Sequence, residues 1–321
     1  MTASESPLAP PVLVLASRND FTCDYVAAAL ARRGVAFLRL NSEDLPSCEI
    51  TLDPVQPCAT IRLGGRAFEL SRQTLRSVLY RRPVYLRDFG DDRWSAQERF
   101  CRLQWAAFIQ NLAVFDDARW YNAPAATYRA EHKAIQLREA HKLGMNVPPT
   151  AVTNTPLSAV DKIPGSRYAV KGLDTVMVRE AGDEMFGFTT FADSSELSGP
   201  EWRTAPSMVQ WAVPDKTDLR VTVLGERVFA VEILVDGHGV NDDWRLHKKQ
   251  TAFVPHELPT LVASQCVEIV AALGLRFGAV DLALTGGDYY FLEINPTGEW
   301  AWLVDAAGLP IDEVFADELA Q

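Results

Sequence analysis

The segment 277–296, FGAVDLALTGGDYYFLEINP, limits what the 321-residue chain can fold into more than any other stretch. Two alternating apolar runs flank Thr285-Gly286-Gly287-Asp288, so the segment reads as a β-hairpin. Side chains two positions apart in a strand point the same way, which puts Glu293 and Asn295 on one face. Register decides whether Asp281 joins them. A two- or four-residue loop sets Asp281 opposite Leu292, on the wrong face. A three-residue loop of Gly286, Gly287 and Asp288 pairs Thr285 with Tyr289 and Asp281 with Glu293, and its glycines suit the left-handed position such a loop requires. The three-residue loop is the expectation. Opposed like charges destabilise a sheet, so the arrangement calls for a cation between the two carboxylates. Mg²⁺ takes one or two carboxylates and completes its shell with phosphate oxygens and water, which makes Asp281, Glu293 and the neutral Asn295 candidate metal ligands.

If the anion that accompanies such a metal is a nucleotide triphosphate, further cations are needed. Lys171 lies inside the apolar strand RYAVKGL, where it is desolvated without an anionic partner. Lys133 falls on a helix expected over 127–143. In the strand DLRV, Asp218 and Arg220 share a face opposite Leu219, Val221 and Val223. Arg245, in the loop DDWRLHKK, suits either phosphate or carboxylate. The apolar strand MVQWAV, 208–213, either offers backbone groups to a purine edge or is a plain core strand.

The rest of the chain supplies the frame. PVLVLAS, a helix over 20–34 capped by Asp20 and stopped by Gly34, and VAFLRL form a βαβ-type beginning. SVLYRRPVYLR, 77–87, reads as a strand broken by Pro83, and Ser95 with Glu98 forms a capping box ahead of a long amphipathic helix. Strands and hairpins dominate the last third; Gly225-Glu226 suits a two-residue II′ turn. The fold class is thus α/β followed by α+β, with residues 1–10 expected as a disordered tail and a boundary near 122–126. A net charge of −11 argues against a nucleic-acid or anionic-membrane partner. The five scattered cysteines read as reduced thiols, and the N-terminus lacks a signal-peptide pattern, so a cytoplasmic protein is expected.

Lys133, Lys171, DLRV, GAVDLAL and FLEINPTGEW follow one another in the order seen in ATP-grasp ligases, which the chain resembles over about 120–310. RLNSEDLP, LYRRP and DWR extend the resemblance to the graspetide, or microviridin-type, peptide ligases and into the N-terminal region. The resemblance implies an ATP-grasp fold: an N-terminal pre-ATP-grasp domain over 11–122, a central lobe over 123–207 and a C-terminal lobe over 208–321, with the nucleotide between the lobes. It implies ATP and Mg²⁺ as cofactors, Lys133 and Lys171 on phosphates with Asp218 and Asn295 nearby, and Gln210, Trp211 and Val213 in an adenine hinge. Asp281, Glu293 and Asn295 hold the metal in this reading, while Arg220 and Arg245 face the acyl phosphate and the acid being activated. The activity implied is phosphorylation of an Asp or Glu side chain of a ribosomally made precursor peptide, then attack by a Ser or Thr hydroxyl or a Lys amine of the same peptide. An amino-acid or dipeptide ligase and a non-catalytic ATP-binding module are the rival readings. The segment VMVREAGDEMFGF departs from the superfamily's glycine-rich phosphate loop, having only Gly182 and Gly187. It reads as an acidic hairpin with Asp183 and Glu184 near its tip, either a solvated turn or, as the resemblance implies, part of the region that holds the leader peptide in graspetide ligases. Dimerisation is a further expectation of the resemblance.

Overall fold

The computed structural model describes residues 6–81, 94–174, 177–180, 183–186 and 189–321, with side chains left aside at 177–180 and 183–186. The chain divides into two compact units. One comprises the residues up to Thr127 with Leu275–Phe277 and Glu299–Gln321; the other is Tyr128–Gly274 with Gly278–Gly298.

The first unit is built on a parallel sheet in the order Phe37–Asn41, Val12–Ala16, Ser77–Tyr80, Arg119–Tyr121. Val12–Ala16 is apolar throughout and fully buried, as a central parallel strand must be. The helix Phe21–Arg32 starts where Asp20 accepts the backbone N–H of Cys23, and Gly34 ends the turn at φ +68°. Its basic end is tied to the C-terminal helix Ile311–Ala320 through Arg32 and Arg33 on Glu313. Ser95 and Glu98 close the capping box of Ala96–Asn111 as the sequence predicts. Of the strand expected over 77–87, Ser77–Tyr80 forms; 82–87, including Arg82 and Pro83 of LYRRP, lies outside the described residues. The disordered-tail expectation for 1–10 is corrected at its end. Leu8 bridges to Phe68, giving its N–H to Ala67 and accepting from Glu69, so a single residue extends the meander Glu49–Asp53, Cys58–Leu63, Arg66–Ser71. Pro10 is already buried.

The second unit carries two sheets. A four-stranded antiparallel sheet runs Thr190–Asp193, Arg167–Lys171, Ser207–Trp211, Thr150–Thr153. A five-stranded sheet runs Thr251–Pro255, Arg227–Val235, Thr217–Leu224, Phe277–Thr285, Asp288–Asn295. The helix expected over 127–143 is two: Pro124–Ala130 and Lys133–Lys142. The break at Glu131-His132 makes Lys133 the first residue of the second helix. Gln136 of that helix, fully buried, gives its amide N–H to the carbonyls of Ala130 and Ile294, and its carbonyl accepts the N–H of Ile294. The edge strand Asp288–Asn295 is thereby held by a side chain at Ile294, between Glu293 and Asn295. Met177–Glu180 and Asp183–Phe186 form a two-stranded ribbon in which Glu180 pairs Asp183, so Asp183 and Glu184 stand at its tip; Gly182 and Gly187 lie outside the described residues. Among the described residues no helix is long and apolar enough to cross a membrane.

Candidate active site

The hairpin at the end of the chain brings Asp281 opposite Glu293, but not by the expected loop. Thr285 pairs Asp288 across a two-residue loop, Gly286 at φ +57° and Gly287 at φ +91°, both in the left-handed region that a I′-type turn demands. The register then shifts between Leu282 and Asp281, where Leu292 is the extra residue of a β-bulge. The three-residue loop is therefore corrected. The bulge restores what the shorter loop alone would have lost, and Ala279 pairs Asn295 beyond it. Leu292 and Glu293, neighbours in sequence, both line the same cleft.

The cations that the acid pair calls for are, in the chain itself, side chains. Lys133 Nζ donates to Glu293 Oε2, both about four-fifths buried. Arg220 Nε lies 3.1 Å from Asp281 Oδ1, and Asn295 Nδ2 donates to Asp281 Oδ2 at 3.2 Å, which leaves the Asn295 carbonyl oxygen turned elsewhere. Burial alone would raise the Glu293 carboxyl, but Lys133, Lys171 and Arg245 outweigh it and hold it at about 2. For Asp281 desolvation wins over the pull of Arg220, and its carboxyl is raised. Burial lowers the Lys171 ammonium, as expected of a lysine inside a sheet. Among the described residues no group of three or more His, Cys, Asp and Glu side chains gathers as a metal site. Two carboxylates and an amide fall below that number, and suit a hard cation that draws most of its oxygens from phosphate and water rather than an all-protein cage.

The cleft is lined from both sheets of this unit, by Lys171, Gln210 and Trp211 on one side and by Asp218, Asp281 and Glu293 on the other. Ala212, Val213 and Arg245 line it as well. Gln210 does not offer its backbone as a hinge would: it pairs Ala169 on one side and Thr150 on the other. Its side chain accepts from Lys171 Nζ at 3.0 Å. Trp211 and Ala212 give their N–H groups to Pro149 and Arg167, and in the stretch 210–213 the Ala212 carbonyl and both backbone groups of Val213 make no hydrogen bond among the described residues. Arg245 pairs Asp243 at 3.1 Å, and burial of its charge is outweighed by Asp281 and Asp243, which raise it further. Asp183 and Glu184 are on the separate ribbon.

Several lining residues escaped the sequence reading. Buried Lys216, just ahead of the strand Thr217–Leu224, donates to Asp218 at 2.5 Å, an i, i+2 pair that PDKTDLR already contained. Asp243 caps the short helix Trp244–His247 and accepts from Arg245 twice over, through backbone and guanidinium. Gln136 and Thr150 act on partners far along the chain, and no local pattern marks them.

No family model and no curated protein sequence matches the chain. Its fold is that of ATP-grasp ligases. The likeness runs to ribosomal-peptide maturases of that fold over almost the whole of both chains. Macrocyclase MdnB from Microcystis aeruginosa MRC is 28% identical at a TM-score of 0.76, covering 97% of this chain and 99% of its own. A RiPP-associated ATP-grasp ligase from Chryseobacterium gregarium, solved with ADP and a leader and core peptide, is 25% identical at 0.81, covering 97% and 96%. Macrocyclase MdnC from Microcystis aeruginosa MRC, bound with precursor peptide MdnA, is 24% identical at 0.79, covering 96% and 99%.

Proposed function

We propose that this chain is an ATP-dependent peptide macrocyclase that joins Asp or Glu side chains of a ribosomally made precursor to Ser or Thr hydroxyls or Lys amines of the same peptide. The observation that carries the reading is the opposed pair Asp281 and Glu293, each held by a largely buried cation, in a chain whose end-to-end likeness includes macrocyclases. A substrate carboxylate oxygen attacks the γ-phosphorus of ATP and ADP leaves. The hydroxyl or amine then attacks the acyl carbon, phosphate leaves, and the nucleophile's proton is lost, so each ring removes one water from the peptide. Lys133 and Lys171 neutralise phosphate charge as it shifts. Arg220 and Arg245 face the acyl phosphate and the carboxylate. Val213 N–H and the Ala212 carbonyl, with Trp211 beside them, take the purine edge, while Asp218 lies toward the ribose and phosphates. Asp281, Glu293 and the Asn295 oxygen would hold Mg²⁺, which supplies charge stabilisation to the transferring phosphoryl group. No side chain here need form a covalent intermediate; the work is positioning.

On the same reading, 11–122 is the pre-ATP-grasp domain, 123–207 the central lobe and 208–321 the C-terminal lobe, and Asp183 and Glu184 contact the leader peptide. The setting is a cytoplasmic homodimer. The net charge of −11 supports a partner other than nucleic acid or an anionic membrane. The test is to incubate the protein with ATP, Mg²⁺ and the acidic precursor peptide encoded beside its gene, and weigh the peptide. Loss of one or more water masses is expected. ATP consumption on free amino acids with an unchanged peptide would instead favour a small-molecule ligase of the same fold, and no turnover with either would leave a binding module.

A further inference from the structure

Thr150, Gln210 and Lys171 form a chain of hydrogen bonds whose polarity is fixed at both ends. The Pro148 carbonyl can only accept, so the Thr150 hydroxyl, 2.6 Å away, must donate to it. That hydroxyl then accepts from Gln210 Nε2 at 2.9 Å. The Gln210 amide is thereby turned with its oxygen toward Lys171, whose ammonium can only donate and does so at 3.0 Å. The amide cannot flip without setting two donors against each other. Gln210 is 1% exposed, so although the residue borders the cleft its side-chain amide is committed to Thr150 and Lys171. The strand register adds to this: Gln210 pairs Thr150 on one side and Ala169 on the other, within the same sheet that carries Lys171.

We propose that Thr150 and Gln210 are positioning residues for Lys171: they fix the place of its ammonium before the nucleotide phosphates arrive. The inference rests on the nucleotide reading of the cleft and deepens it. A neutral oxygen is the suitable anchor. It orients the lysine while leaving its full charge for phosphate, which a carboxylate at the same position would cancel. The buried amide within an otherwise apolar strand also has a reason to be there, since an unpartnered amide in that place would be costly.

The test is calorimetric binding of Mg-ADP and of adenosine to wild type, Thr150→Val, Thr150→Ser, Lys171→Met and the Thr150→Val/Lys171→Met double variant, with thermal melts as a check of folding. Thr150→Val removes the anchor and should weaken ADP about ten-fold, the size of one hydrogen bond to a charged group. Adenosine, lacking phosphates, should bind as to wild type, and Thr150→Ser should restore ADP affinity. In the Lys171→Met background the valine should cost ADP affinity nothing further, because its effect passes through the lysine. Equal ADP affinity in wild type and Thr150→Val, a parallel loss for adenosine, or an undiminished loss in the double variant would each overturn the proposal while leaving the nucleotide site standing. Failure of wild type itself to bind ADP would overturn the site reading and the relay together.

Discussion

The hairpins Thr217–Leu224/Arg227–Val235 and Phe277–Thr285/Asp288–Asn295 begin alike and end differently. Each turns through two residues with a glycine at φ +57° in the first position. The first then runs in unbroken register from Leu224–Arg227 to Asp218–Ile233, which keeps Asp218 and Arg220 on one face. The second breaks at Asp281, where Leu292 is inserted. A bulge sets two residues against one, so Leu292 joins Glu293 on the cleft side and the phase of Ile294 and Asn295 is kept. Regular pairing supplies a rigid support for Arg220; the irregular one adds an apolar surface beside an acid.

Four experiments sharpen that contrast. Glu293→Gln removes the charge at the bulge and should lower peptide dehydration by roughly a thousand-fold, read by mass spectrometry. Activity near wild type would take the carboxylate pair out of the mechanism. The same carboxyl sets an acid limit. It titrates at about 2 when folded against an ordinary 4.5, so its contribution is complete above pH 4.5 and lost as the pH falls toward 2. That contribution is on the order of 3 kcal/mol. Denaturant melts of wild type and Glu293→Gln should therefore converge across this window, and curves that stay parallel would contradict the assignment. Leu292→Ala truncates the inserted residue and should weaken ADP binding about ten-fold by loss of buried apolar area; unchanged affinity would reduce the bulge to a structural detail. The smallest effect is the shared one. Gly225→Ala and Gly286→Ala each place a Cβ at positive φ and should cost about 1 kcal/mol in thermal melts. The two turns are predicted to respond equally, with ADP affinity untouched.

Much of the fold was legible because its signals are local. Asp20 and the Ser95–Glu98 pair announce helix starts, and Gly225-Glu226 sits where the turn forms. The Asp281–Glu293 pairing was also expected, through a loop one residue too long. Alternation cannot reveal a bulge, because Leu292 is apolar and the pattern on either side of it remains plausible. The split before Lys133 left no trace either, since neither Glu131 nor His132 is a helix breaker. Leu8 pairs a strand some sixty residues away, and Gln210, expected in an adenine hinge, joins Thr150 to Lys171 through its side chain. What the sequence withheld is the non-local partner in each case.

Lys133 on Glu293 and Arg220 on Asp281 have a consequence for how the cleft fills. Lys216 and Arg245 are likewise matched by Asp218 and Asp243, so the protein alone already contains a nearly balanced ionic lattice. A charged ligand entering such a lattice exchanges counter-ions rather than falling into an attractive field. On the proposed reading, Lys133 would leave Glu293 for a phosphate, and the carboxylate would be released for a cation. Binding of that kind conserves the count of ion pairs, so the nucleotide and its cation should arrive together. Their affinity should then vary little with ionic strength.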